Sequence, residues 1–172
     1  MKKDLWIGGE YRKPASYMEL RNPYNLELLA EIGTADVEDV QSAISAAHQA
    51  QTIMAEMPAF ERAEILEKVA QYLKDDREEC ARIIALKAAK PLKAARAEVD
   101  RTIMTYTFAA HEARRIHGET VPMDAAPGGQ GRLAFTIREP LGVIAAITPF
   151  NFPMNLVAHK VGPAIAAGNS VI

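Results

Sequence analysis

An apolar run, Leu141–Ile147, restricts the fold of this chain more than any other feature. Its composition is typical of a parallel strand that is buried on both faces, because such strands read as continuous hydrophobic stretches. Pro149 ends the run, since proline cannot donate to a sheet ladder, and Pro153 suits the start of a helix over 153–166. A turn at Gly168 and a second apolar strand at 170–172 complete a strand–helix–strand unit. Such units are parallel and right-handed.

Asn151 lies where α/β proteins bind their ligands. Ligands bind outside the carboxyl ends of the strands in open parallel sheets, and Asn151 follows the buried run directly. Phe150 and Phe152 flank it, so its amide is suited to be a fixed hydrogen-bond donor. A simpler interpretation makes Asn151 the cap of the following helix. The local sequence leaves both interpretations open.

The upstream residues predict short strands followed by long helices. Residues 5–32 alternate apolar runs with turn residues, as short strands do. Either Thr34 or Asp36 can be the N-cap of a first helix, and Pro58 suits the first turn of a second. The third should place Cys80, Ile83 and Ile84 inward. The fourth runs from Pro91 to about His117, and residues 132–139 alternate like a half-exposed strand.

Composition and charge indicate an ordinary globular protein. The chain has 172 residues, 49% of them hydrophobic, and a net charge of −2. This charge gives no electrostatic reason to expect nucleic acid or an anionic membrane as a partner. The N-terminus lacks the apolar region of a secretory signal, and a single cysteine excludes an internal disulfide. We therefore expect a cytoplasmic protein with no membrane partner.

Three other features resemble sites but are better explained structurally. Cys80 lies on the apolar stripe of a helix, where cysteines usually pack and do not react. His111 and His117 are six residues apart, which places them on diverging helix faces, so we expect no metal site. The glycine-rich stretch 128–131 precedes a strand, whereas the dinucleotide fingerprint precedes a helix. It is predicted to be a loop.

Several segments resemble the NAD(P)-dependent aldehyde dehydrogenase superfamily. The first signature block of that family resembles three segments in order, namely Glu139–Ile144, Thr148–Pro153 (TPFNFP) and Gly162–Asn169. The family's N-terminal region resembles Arg21–Tyr24, Ala35–Val40 and Lys90–Leu92. The sequence of residues 150–160 is most similar to that of the lactaldehyde, non-phosphorylating glyceraldehyde-3-phosphate and phosphonoacetaldehyde types. Because family members are much longer, the resemblance implies an N-terminal portion of such an enzyme.

The resemblance implies an α/β fold with an aldehyde-dehydrogenase-like, Rossmann-type parallel sheet that is incomplete here. Residues 1–118 would form the N-terminal part of the nucleotide-binding domain, with short strands and then helices. Residues 119–140 would form an arm of the bridging or oligomerisation sheet. Residues 141–172 would be the first, truncated βαβ unit of the dinucleotide-binding sheet. The full-length enzyme is expected to be a homo-oligomer, either a dimer or a tetramer.

The resemblance also implies a reaction and a set of residues. Family members oxidise an aldehyde to a carboxylic acid with NAD or NADP as cofactor, through a cysteine thiohemiacetal whose oxyanion the residue matching Asn151 stabilises. The nicotinamide end of the cofactor would meet Ile147, Thr148, Pro149, Phe150 and Asn151. Lys160 matches a lysine considered either a proton relay or structural, and a surface charge is an equal alternative.

The family's nucleophilic cysteine and general-base glutamate would lie beyond Ile172, so we expect these 172 residues alone to be inactive. An alternative is a non-catalytic fragment or interaction module that pairs with a dehydrogenase subunit. An acyl-transfer enzyme without nicotinamide ranks last, because no Ser-His or Cys-His pair occurs at a suitable spacing.

Overall fold

The computed structural model describes residues 1–172 and contains five α-helices and four small sheets. The N-terminal region forms five short strands, as the alternating pattern predicts. These strands are β1 (Lys2–Lys3), β2 (Leu5–Ile7), β3 (Glu10–Arg12), β4 (Ser16–Arg21) and β5 (Leu28–Thr34). Strand β5 lies between β1, to which it is parallel, and β4, to which it is antiparallel, while β2 and β3 form a hairpin.

Four consecutive helices follow, which confirms the prediction made from the helical spacing of apolar residues. They are α1 (Val37–Glu56), α2 (Ala59–Asp75), α3 (Arg77–Ala88) and α4 (Leu92–Ala113). Asp36 is the N-cap of α1 and forms a reciprocal capping box with Asp39, so of the two predicted caps the structure selects Asp36. None of the helices combines the length and hydrophobicity needed to cross a lipid bilayer.

Helix α4 is the centre of the main hydrophobic core. It packs against α2, α3 and a fifth helix, α5 (Asn155–Ala166). Many of the buried positions on α4 and α5 are alanines, which lets the helix axes approach closely. Leu66 of α2 and Val99 of α4 are both fully buried in this core. This core fixes the position of α5 relative to α4.

Two details of the helices differ from the sequence prediction. Ile84 is buried, but Ile83 is 52% exposed, so the prediction that both point inward is wrong. Adjacent helical residues are separated by about 100° around the axis, so Ile83 lies on the opposite side of Cys80 from Ile84, and the core covers only the side that carries Ile84. Helix α4 also ends at Ala113, a turn before the predicted end near His117.

Residues 119–140 contain an exposed hairpin made of β6 (Thr120–Val121) and β7 (Ala134–Phe135), which pair antiparallel. The predicted strand over 132–139 is therefore much shorter than expected. Leu133, Phe135 and Ile137 alternate as a strand requires, yet all three are largely exposed. Their shared apolar face is therefore left uncovered within this chain.

The last part of the chain is the predicted strand–helix–strand unit. Strands β8 (Val143–Ile144) and β9 (Ser170–Val171) are parallel and flank α5 in the sequence. The buried side chain of Asn169 fixes their register, because its Oδ1 accepts a hydrogen bond from the Gly142 N–H (2.8 Å) and its Nδ2 donates to the Ala164 carbonyl (3.2 Å).

The predicted buried strand is shorter and more exposed than expected. Its last backbone bond to the neighbouring strand region runs from the Ala146 N–H to the Ile172 carbonyl, and Ile147 is 86% exposed. A ladder needs a partner at each position, and β9 supplies one only along this short stretch. The prediction of a strand buried on both faces is therefore wrong for residues 145–147 within this chain.

Gly168 is expected to be essential for the turn between α5 and β9. Its φ is +81°, and an added Cβ would overlap the guanidinium of Arg62 and lie 3.0 Å from Pro140. We expect Gly168→Ala to lower the free energy of unfolding by about 2–3 kcal/mol, through left-handed backbone strain and overpacking. Urea unfolding of the two proteins measures this difference.

Gly128 provides the matched control. Its φ is +89°, but an added Cβ would meet no atom within 4 Å, so Gly128→Ala tests backbone strain alone. We expect it to cost about 1 kcal/mol. Equal losses at the two glycines would contradict the role of close packing at Gly168.

Candidate functional site

Asn151 lies in the segment that links β8 to α5. The residue is exposed, and α5 begins at Asn155 with Met154 in the N-cap position. No side-chain cap hydrogen bond is made at that N-cap, so the interpretation of Asn151 as the helix cap is wrong. The Asn151 amide is therefore not committed to the helix, and it stands at the carboxyl end of a parallel strand.

The backbone N–H groups at the start of α5 have no partner within the helix, and they bind a carboxylate from another helix. Glu98, on α4, is 1% exposed, and its Oε1 accepts hydrogen bonds from the backbone N–H groups of Met154 (3.0 Å) and Asn155 (3.3 Å). A negative charge at this end also complements the helix dipole. Glu98 thus acts as the cap that the local sequence of α5 does not provide.

Lys90 holds the other end of the same segment. Its Nζ lies 2.7 Å from Oε2 of Glu98, donates to the backbone carbonyl of Asn151 at 2.9 Å, and lies 4.1 Å from the centre of the Phe152 ring. The sequence indicates Lys90 only as part of a family-like stretch and gives no signal for Glu98. The two residues precede the segment by 61 and 56 positions, so no local pattern indicates the contact.

The residues predicted to meet the cofactor form an open apolar ledge, residues 147–151. Ile147 is 86% and Phe150 81% exposed, while Thr148 is half-buried and Pro149 exposed. Lys87 lies over the Phe150 ring, with its Nζ 5.1 Å from the ring centre. The structure therefore brings all the predicted cofactor residues to one edge, at the end of β8, but forms no closed pocket from them.

Lys160 is on α5, half-buried, and makes no ion pair. No hydrogen bond joins it to Asn151. On the same helix, buried Asn155 lies 3.2 Å from Nε2 of His159 through its Nδ2, and 3.5 Å from Oγ1 of Thr105 through its Oδ1. These contacts orient the first turn of α5 against α4.

Cys80 has the properties of a packing residue. It lies on α3, and its side chain packs against the main core. Burial raises the pKa of the Cys80 thiol, and the nearby carboxylates of Asp76 and Glu79 raise it further. The reactive thiolate is therefore disfavoured, in agreement with the structural interpretation.

The other two sequence features also lie apart from Asn151. His111 is on α4 and His117 lies beyond its end, and no group of three or more metal-ligating side chains comes together in the chain. Residues 128–131 lie in the loop between β6 and β7. A cavity of about 600 Å³ is an apolar space between Trp6, α1, α5 and β9, and Asn151 does not line it.

Sequence comparison identifies relatives along nearly the whole chain. The family profile described as the aldehyde dehydrogenase family matches residues 11–172. The 3-sulfolactaldehyde dehydrogenase of Priestia aryabhattai is 46% identical over 168 residues, which cover 98% of this chain and 35% of the relative. The lactaldehyde dehydrogenase of Methanocaldococcus jannaschii is 43% identical over 155 residues, 90% of this chain and 32% of the relative. This chain spans about a third of the length of these relatives.

Solved structures give the same result. The NADP-dependent glyceraldehyde-3-phosphate dehydrogenase of Bacillus halodurans, complexed with NADP, superposes with a TM-score of 0.94 at 36% identity, covering 99% of this chain and 37% of that one. Aldehyde dehydrogenase 21 of Physcomitrella patens, in complex with succinate, gives 0.93 at 38% identity, covering 99% and 36%. These findings confirm the resemblance and the α/β fold class predicted from the sequence. The chain belongs to the aldehyde dehydrogenase family.

Proposed function

We propose that the protein carrying this chain oxidises an aldehyde to a carboxylic acid with NAD or NADP, and that Asn151 stabilises the oxyanion of the thiohemiacetal. The observation that carries this proposal concerns the side-chain amide of Asn151. It is exposed, does not cap α5 and follows the carboxyl end of β8, in a chain of this family. The nucleophilic cysteine and the general-base glutamate that the family uses would come from residues other than these.

The contribution of Asn151 is electrostatic. When a thiolate adds to the aldehyde carbonyl, the carbonyl oxygen becomes negatively charged, and an N–H donor placed at that oxygen stabilises the transition state more than the substrate. One preorganised donor of this kind is worth about 3–4 kcal/mol in a site that excludes water. Asn151 would donate its side-chain Nδ2–H to the oxygen.

The ledge of residues 147–151 fits the nicotinamide end of NAD or NADP. Its exposed Ile147 and Phe150 side chains offer an apolar surface that a flat ring can cover, at the strand end where α/β folds bind nucleotides. The bound cofactor supplies the hydride acceptor. Thr148 and Pro149 complete the surface beside Asn151. Lys160 is proposed as a proton relay or a structural group, with a plain surface charge as the alternative.

The relatives' names suggest the class of substrate. Two are named for 3-sulfolactaldehyde and lactaldehyde, and a structural relative for glyceraldehyde-3-phosphate, so each is named for a short hydroxyaldehyde. We propose a short 2-hydroxyaldehyde for this protein as well.

We also propose a domain division at residues 118 and 140. Residues 119–140 would form the arm of a homo-oligomeric assembly, and the protein would be located in the cytoplasm.

An enzyme assay tests the proposal. The purified intact protein is mixed with NAD+ or NADP+ and, in turn, with lactaldehyde, glyceraldehyde-3-phosphate and 3-sulfolactaldehyde, and NAD(P)H absorbance is followed. We expect steady NAD(P)H formation with at least one pair, and none in the heat-inactivated or aldehyde-free controls. A folded protein that forms no NAD(P)H with any pair would contradict the proposed function.

A further inference from the structure

We propose that Glu98 and Lys90 are positioning residues, which together fix the main chain that carries Asn151. This inference rests on the proposed function of Asn151 and adds the device that holds it in place. Neither residue would touch the substrate. They would act through the backbone of residues 151–155.

The burial of the pair sets it apart from every other ion pair in the chain. The side chains of Glu98 and Lys90 are 0% and 16% exposed, whereas each of the other ion pairs has at least one partner that is more than a third exposed. A buried charge is costly unless all its polar atoms are paired. The buried pair is therefore stable only if its remaining polar atoms also form hydrogen bonds.

Every side-chain hydrogen bond that the pair makes beyond itself goes to one short segment. Glu98 accepts from the N–H groups of Met154 and Asn155, and Lys90 donates to the carbonyl of Asn151. The ammonium group of Lys90 also lies over the ring of Phe152. The pair therefore holds both ends of residues 151–155 and connects them to α4.

This anchoring acts directly on Asn151. Its carbonyl carbon is bonded to the same Cα atom as its side chain, so a fixed carbonyl restricts the position of Cα and, with the anchored residues that follow, the directions open to the Cα–Cβ bond. The side-chain amide then needs to adopt only its own rotamer to reach an oxyanion. Donors stabilise a transition state most when they need not reorganise, and a displacement of about 1 Å lowers the rate considerably.

Removing the charge pair as a whole separates positioning from stability. In the intact protein, Glu98→Gln alone leaves the largely buried ammonium group of Lys90 without its carboxylate partner and is expected to lower both Tm and kcat. The double variant Glu98→Gln with Lys90→Met removes both charges, so Tm should largely recover. We expect its kcat to remain about 10–100-fold below the wild type, with the KM values for aldehyde and NAD(P)+ within about threefold.

Local hydrogen exchange provides a second readout that does not depend on activity. In the double variant we expect the backbone amides of residues 152–156 to exchange at least about 10-fold faster, while those of α2 keep their protection. Glu67→Gln is the matched control, because it breaks the Glu67–Arg114 ion pair about 24 Å away along α4. Its kcat and its exchange at residues 152–156 should equal those of the wild type.

A kcat that recovers together with Tm in the double variant, or unchanged exchange at residues 152–156, would overturn the inference and leave the pair a purely structural one. Failure of the proposed function gives a different pattern, in which the wild type itself oxidises no aldehyde or Asn151→Ala has no effect on kcat. In that case the exchange measurement alone decides whether the pair fixes the segment.

Discussion

Replacing Asn151 with alanine in the intact protein is expected to lower the rate of the chemical step by about 10²–10³-fold. Affinity for NAD(P)+ should stay within a few-fold, because the amide acts mainly on charge that appears in the transition state. Single-turnover formation of NAD(P)H measures the first quantity, and a cofactor titration measures the second.

Stability should hardly change in the same variant. Asn151 is exposed and does not cap α5, so we expect the free energy of unfolding to shift by no more than about 0.5 kcal/mol. Asn25→Ala, at another exposed asparagine in the turn between β4 and β5, is the matched control and should retain full activity. Near-normal turnover by folded Asn151→Ala protein would refute the oxyanion role.

The 172 residues alone are expected to form no NAD(P)H from any aldehyde. Their only cysteine is Cys80, which packs against the core and has a raised pKa, so nothing here replaces the family's nucleophile. Loss of one member of a catalytic unit costs about 10⁴–10⁶-fold in rate. The purified 172-residue chain is assayed beside its heat-inactivated form and its Cys80→Ala variant. Activity that disappears in Cys80→Ala would show that the assignment of the nucleophile is wrong.

The parts of the fold that depend on local pattern were predictable. The 3.6-residue spacing of apolar side chains predicts α1 to α4, Asp36 is a strong cap, and the apolar run with its following helix predicts the parallel pair β8 and β9. Errors arose where packing decides. Ile83 faces outward, and the strands at 132–139 and 142–147 shorten because few of their positions find a partner.

The candidate site was also predictable only where local sequence determines it. Asn151 could be found from its place after an apolar strand and from the resemblance of its neighbours to a family signature. Glu98 could not, because its role depends on α4 and α5 packing side by side, which brings together residues 56 positions apart. In the sequence, Glu98 is one of many acidic residues on a helix, and only the structure shows that it is buried.

Exchange of the Asn151 amide for a carboxylate tests the central claim most directly. Asn151→Asp keeps the size of the side chain but removes the donor and places a negative charge beside the developing oxyanion. Turnover of the intact Asn151→Asp protein is measured with the best aldehyde and cofactor, together with its Tm. The proposal predicts loss of activity, at least as large as in Asn151→Ala, with an unchanged Tm. A stable Asn151→Asp protein that turns over at the wild-type rate would contradict the assignment of Asn151 as the oxyanion donor.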